Sequence, residues 1–172
     1  MRNPMTMDTF KAFVGLSAVA ALVATISALL IDVPVWAAFI GWIAFFSRGI
    51  TARDGAINLT CVLIGLLIGM AAALASAALT PYMGGLTIAP VVLIATFLLL
   101  SLGLLPVINN LTGFFLGLVC YFASHLPPTL GTFVELAMAV ALGVFGALVA
   151  SLVQKYLSGA EVPGADVSTT HP

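Results

Sequence analysis

The sequence predicts an all-α membrane protein with six transmembrane helices arranged as two inverted three-helix repeats. Three observations lead there. Only 6% of the residues are charged and 62% are hydrophobic, with a mean hydropathy of +1.24, whereas soluble domains carry about 25% charged residues. A soluble chain of 172 residues could not bury so much apolar surface, so the expected solvent is the bilayer. The apolar residues also fall into runs separated by Pro, Gly and polar turns, and at roughly 20 residues per span about six crossings fit. Finally, one short aromatic stretch occurs twice.

The first copy reads Trp36-Ala37-Ala38-Phe39-Ile40-Gly41, runs on to Phe45-Phe46 and stops at a basic loop. The second reads Gly113-Phe114-Phe115-Leu116-Gly117, followed by Tyr121-Phe122-Ala123. Without gaps, Gly41 matches Gly117, Phe45-Phe46 match Tyr121-Phe122, and Gly55 matches Gly131, at an offset of about 76 residues. Each copy lies between two longer apolar runs and so reads as the middle helix of a half.

The elements follow in order. Residues 1–9 are a short polar N-terminus. Residues 10–31 form the first span; the run is longer than the apolar part of a signal peptide and lacks a small-residue cleavage site, so it is expected to stay. Asp32-Val33-Pro34 turns the chain, and Pro34 suits the first turn of the next helix. The second span, residues 34–47, is short for a full crossing. The loop after it holds Arg48, Arg53 and Asp54. The third span covers residues 55–79, and Thr80-Pro81-Tyr82-Met83-Gly84-Gly85 reads as a turn. The fourth covers 87–105 and is ended by Pro106. The fifth covers 109–124, with Asn109 and Asn110 placed to cap it. His125-Leu126-Pro127-Pro128 turns the chain into the sixth, residues 129–156. The Gly-, Pro-, Ser- and Thr-containing tail, 157–172, reads as disordered.

Charge supplies the orientation. With six spans and a cytoplasmic N-terminus, Arg2, Lys11, Arg48, Arg53 and Lys155 all fall on the cytoplasmic side, as the positive-inside rule requires. The opposite loops hold Asp32 and His125 and no Lys or Arg. If residues 34–47 failed to cross, Lys155 would move to the other side from Arg48 and Arg53. Full crossing is the expectation, with both termini cytoplasmic. Two halves of three spans each must then be inverted with respect to one another, a plan that recurs in transporters.

Few residues offer chemistry. Glu135 is the one acidic residue well inside an expected span, where a carboxylate costs about 2.5 to 3.5 kcal/mol at the helix centre. It is the leading candidate for a solute pathway, although an interfacial acid can stay hydrated. Asn58 lies about one turn into the third span and is a candidate for an interhelical hydrogen bond or for solute contact. The ungapped repeat sets it opposite Val134, beside Glu135. His125 is a candidate partner for Glu135 or a pH sensor, against the ordinary role of an exposed loop histidine. Trp36, Phe46 and Tyr121, with Trp42, Phe45 and Phe122, crowd the two short helices, where aromatics form an interfacial belt or narrow a pore. Gly65-Leu66-Leu67-Ile68-Gly69, Gly113 to Gly117 and the Ala-rich run 71–78 let helices approach closely and favour a homo-oligomer.

No zincin, nucleophile-elbow or phosphate-loop motif occurs, so no enzyme, cofactor or metal is expected. Cys61 and Cys120 fall in apolar runs and read as small buried hydrophobes. A net charge of -1 with no basic patch argues against nucleic acid. The Trp36–Gly41 motif with Phe45-Phe46 and its glycine-containing basic loop, and the echo at Gly113–Gly117 with Tyr121-Phe122-Ala123, resemble small bacterial inner-membrane proteins of domain-of-unknown-function family 1097. The resemblance spans residues 10–154. It implies a multi-span inner-membrane protein and assigns no substrate or site. The expected function is a small-solute channel or transporter for a small polar or weakly ionic solute; the alternative is a non-transporting scaffold or accessory subunit in contact with the bilayer and a partner helix.

Overall fold

The computed structural model describes residues 7–157; of the tail expected to be disordered from 157, Leu157 belongs to the last helix and 158–172 lie outside the described residues. Their secondary structure is helical throughout apart from the connections, with no strand among the described residues. Helix α1, Met7–Ile26, ends in a π-helical turn, Ser27–Ile31. Asp32 then takes a left-handed conformation (φ 55). The buried Ser27 hydroxyl donates to Val33 O at 3.0 Å and closes the turn. Helix α2, Val35–Phe46, starts after Pro34. Helix α3, Ala52–Met83, is capped by Thr51, whose Oγ1 accepts the Asp54 N–H at 3.1 Å. Helices α4, Ile88–Leu102, α5, Leu111–Ser124, and α6, Leu130–Leu157, complete the fold.

Among the described residues, three apolar segments are long enough to cross a membrane: Phe10–Ile31, Ala52–Leu102 and Leu130–Tyr156. The apolar helices are compatible with an integral membrane protein. The middle segment has 51 residues, and a straight helix of that length would be roughly 75 Å long, more than twice a bilayer core. It folds back instead. Ala72 of α3 packs with Val91 and Ala95 of α4, while Cys61, further back on α3, packs with Leu99, further on along α4. The two helices are therefore antiparallel. The reversal corrects the expected turn at Thr80–Gly85: α3 runs through Pro81 and ends only at Gly84. A proline one turn from a helix end removes a single N–H, and the run of alanines before it is strongly helix-forming. Gly84 has φ +54, a conformation that costs a glycine little.

Helices α2 and α5 are short, 12 and 14 residues, and the rest of the bundle crosses over them. Gly41 of α2 lies against the Val140 carbonyl of α6, and Gly143 of α6 lies against the Ala38 carbonyl of α2. Gly117 of α5 lies against the Val62 carbonyl of α3, and Gly65 of α3 lies against the Phe114 carbonyl of α5. A Cβ at any of the four would strike backbone, so the helices touch main chain to main chain, as small residues permit in apolar bundles. The helices do not keep the offset of 76 that matches Gly55 with Gly131: α2 and α5 start 76 residues apart, α3 and α6 start 78 apart. Gly41 and Gly117 are 76 residues apart, but Gly65 and Gly143 are 78 apart, because α5 is two residues longer than α2.

Around these crossings lies a buried apolar core of Val33, Ala37, Ala44, Val62, Leu66, Cys120, Tyr121, Leu136, Ala139 and Val140. Helix α1 rests on α6, where Gly146 makes room for the buried Val23. Its other side exposes Phe10, Phe13, Val14 and Leu22, the surface expected to meet acyl chains.

Candidate functional site

Two buried asparagines, Asn58 and Asn110, and the exposed Ser47 meet at one end of the bundle, where α2 stops, α3 begins and α5 begins. Asn58, in the second turn of α3, is fully buried. Its Nδ2 donates to Phe45 O near the end of α2 at 3.1 Å. Its Oδ1 accepts from Asn110 Nδ2 at 2.8 Å. The same Asn110 amide nitrogen donates to Ser47 Oγ at 2.6 Å, and Ser47 Oγ donates back to Ala44 O at 2.7 Å. Asn110 Oδ1 accepts the Gly113 N–H at 3.2 Å and caps α5. One side chain thus caps a helix and ties it to two others. Among the described residues no buried side-chain nitrogen or oxygen lacks a partner, as a low-dielectric interior demands.

Two further contacts lie at the same end. Arg48 Nη1 donates to Val107 O at 2.9 Å, joining the α2–α3 loop to the α4–α5 loop. The Cys61 thiol reaches Ile108 O at 3.7 Å beneath that loop. Both cysteines are buried and free.

The six sequence candidates do not come together. Asn58 is held at the Asn110 end of α5. Glu135 is in the second turn of α6, just past the turn at the His125 end, and α5 between those ends is about 21 Å long. The expected closeness of Asn58 to Glu135 is therefore corrected: Asn58 is held at the Asn110 end by its bonds to Phe45 O and Asn110, whereas Glu135 follows the turn at the opposite end of α5. Glu135 is half-buried and, among the described residues, has no hydrogen-bond or ion-pair partner. His125 occupies the left-handed C-cap of α5 (φ 53), its N–H bonding Phe122 O. Tyr121 is buried, and its hydroxyl donates to Leu126 O at 3.2 Å. Trp36 and Phe46 are exposed on α2, and Phe46 packs edge-on against Phe45 with centroids 5.1 Å apart.

The sequence reading missed Ser47 and the double use of Asn110. Their partners are 63 and 52 residues away along the chain, and no local pattern encodes such contacts. The clefts on the bundle surface are apolar. One of about 220 Å³ between α3 and α4 is lined by Ile68, Ala72, Ala75, Leu79, Val91 and Ala95. Another of about 260 Å³ lies between α1 and α2 beside Phe13, Phe39 and Trp42. Neither reaches Glu135, Asn58 or His125.

The fold and this buried amide cluster define an all-helical protein of the kind compatible with a membrane. The chain belongs to the family described as protein of unknown function (DUF1097), whose profile matches residues 14–151. No curated protein and no solved structure matches it.

Proposed function

We propose that the chain is a multi-pass protein of the bacterial inner membrane, with six spans in two inverted three-helix halves, that moves a small polar or weakly ionic solute. The observation that carries this reading is the doubled glycine crossing. Helix α2 meets α6 through Gly41 and Gly143, and α5 meets α3 through Gly117 and Gly65. Exchanging the first half (α1–α3) with the second (α4–α6) turns one crossing into the other. Halves of three spans each must have opposite senses in the bilayer, and that plan recurs in transporters, with the site near the midplane where the halves meet. The Arg48–Val107 contact supports it further, since it brings the α2–α3 and α4–α5 loops to one side. Both termini are then cytoplasmic with all the Lys and Arg residues.

In this reading the buried apolar core is a closed state. Glu135 is the acidic group that would meet the solute when the halves part, and Tyr121 and the short-helix aromatics shape the route. A homo-oligomer is part of the proposal: Ala71, Ala75 and Ala78 form an exposed small-residue face on α3. The closed apolar core and the same face favour a second reading, a non-transporting accessory subunit. Stopped-flow swelling of proteoliposomes separates the two. Urea, glycerol, ammonium and short carboxylates are tested with wild type and Glu135→Gln. The transport reading expects one solute to cross faster than in empty liposomes and Glu135→Gln to change that rate at least about tenfold, the effect of roughly 1.4 kcal/mol. Flux unchanged by Glu135→Gln removes Glu135 from the route. A folded protein that moves none of the panel leaves the accessory reading in front.

A further inference from the structure

The two halves are alike in their crossings and unlike in their fastenings. Among the described residues of α2 to α6 and their connections, four side-chain hydrogen bonds pass between the halves: Asn110 to Ser47, Asn110 to Asn58, Arg48 to Val107 and Cys61 to Ile108. All four lie at the Asn110 end of α5. At the His125 end the polar side chains bond within their own half. Ser27 bonds Val33, Tyr121 bonds Leu126, and Thr132 bonds Pro127. There the halves meet through apolar packing alone, such as Tyr121 against Gly69 and the cluster joining Val33 to Leu136.

The exchange of halves sharpens the contrast. The positions related to Asn110 and Asn58 by shifts of 76 and 78 residues are Pro34 and Leu136, neither of which has a side-chain donor. We infer that the Ser47–Asn58–Asn110 cluster, with Arg48, is a lock that holds the halves closed on the cytoplasmic side, while the opposite side is held by packing that can slide. The chemistry suits a lock. Hydrogen bonds are directional, and the buried Asn110–Asn58 bond at the centre of the cluster is lost once the halves separate, because each buried group left alone is penalised. Apolar contacts are not directional, and they weaken gradually as surfaces move. The lock rests on the two-halved transporter reading and adds which side yields first.

The native cysteines report on it. Cys61 sits beside the lock, under Ile108. Cys120 sits in the core next to Tyr121, toward the other end. The full-length chain is reconstituted in vesicles and labelled with a membrane-impermeant maleimide, one cysteine at a time in Cys120→Ala and Cys61→Ala backgrounds. Asn110→Ser keeps a good helix cap but is too short to reach Ser47 or Asn58. It is expected to raise Cys61 labelling from the Arg48 side about tenfold, as loss of buried hydrogen bonds would, and to leave Cys120 within about twofold. Ser47→Ala removes one of the bonds and is expected to raise Cys61 labelling by a smaller factor, about threefold. If Cys61 stays at the wild-type rate in both variants, there is no lock. If Cys120 rises in parallel with Cys61, the cluster holds the whole fold and the inference is overturned. Solute flux is not read here, so raised Cys61 labelling in a protein that moves no solute keeps the lock and removes transport. Flux with an unresponsive Cys61 does the reverse.

Discussion

Gly117→Val is expected to cost the folded protein about 3 kcal/mol or more, the upper range for forcing extra methyl groups into a packed interior. The reason is that there is no side chain to move aside. The new Cβ would meet the Val62 carbonyl and the Leu66 N–H on α3, so α5 and α3 must separate along their whole crossing. Gly143→Val should cost as much, because its Cβ would meet the Ala38 carbonyl and the Trp42 N–H on α2. Gly85→Val is the control: nothing lies within 4 Å of a Cβ there, and an open surface site changes stability by about 0.5 kcal/mol or less. Equilibrium unfolding of the three variants in detergent micelles gives the comparison. Equal losses at Gly117 and Gly143, with none at Gly85, are what two equivalent crossings require. If Gly117→Val and Gly85→Val behave alike, the helices are not in main-chain contact.

Asn58→Leu is the second large effect. Leucine fills a similar volume but offers no polar atom. Phe45 O loses its donor and the Asn110 amide loses an acceptor, and a buried group stranded in this way costs about 1–3 kcal/mol. Asn58→Leu is expected to lower stability by about 2 kcal/mol, since interhelical bonds in membranes average below those in water-soluble cores. Thr60→Ala, two residues on, should cost about 0.5 kcal/mol or less as an exposed substitution, since Thr60 bonds only Ala56 O of its own helix. Combining Asn58→Leu with Asn110→Ser should cost less than the two separately, because both break one bond. Strict additivity would show that the two asparagines do not act as a unit.

Much of this architecture is written locally, and some of it is not. Apolar runs and the prolines at Pro34 and Pro127 mark where helices fall, because bilayer-compatible helices need unbroken hydrophobicity and proline punctuates it; Pro106 does not, since α4 already stops at Leu102, short of the expected 105. Gly65, Gly113 and Gly117 were readable as close-approach positions. Which helix each would touch was not, because Gly143 enters no local motif with Gly41 yet completes its crossing. The likeness of the two short helices was readable, but the starts of α3 and α6 are 78 rather than 76 residues apart, since nothing local reveals that α5 is two residues longer than α2. Pro81 misled for a similar reason: a proline near the end of an alanine-rich helix is tolerated, and Gly84 rather than Pro81 reverses the chain. Glu135 stood out from its surroundings in the sequence, and the helix does carry it half-buried. The amide cluster was half legible. Asn110 as a cap follows from its position before a helix, but its bonds to Ser47 and Asn58 exist only after three helices have met.

Six crossings of the bilayer, with α2 and α5 as full spans, underlie the proposed function, and cysteine-scanning topology measures them most directly. Single cysteines at Asp32, Arg53, Gly85, Val107 and Pro128, in a background without Cys61 and Cys120, would be labelled from each side of intact cells and inverted vesicles. Arg53 and Val107 should be reached from the cytoplasmic side. Asp32, Gly85 and Pro128 should be reached from the other. Labelling of Asp32 and Arg53 from the same side would mean that α2 does not cross, and the two inverted halves would fall with it.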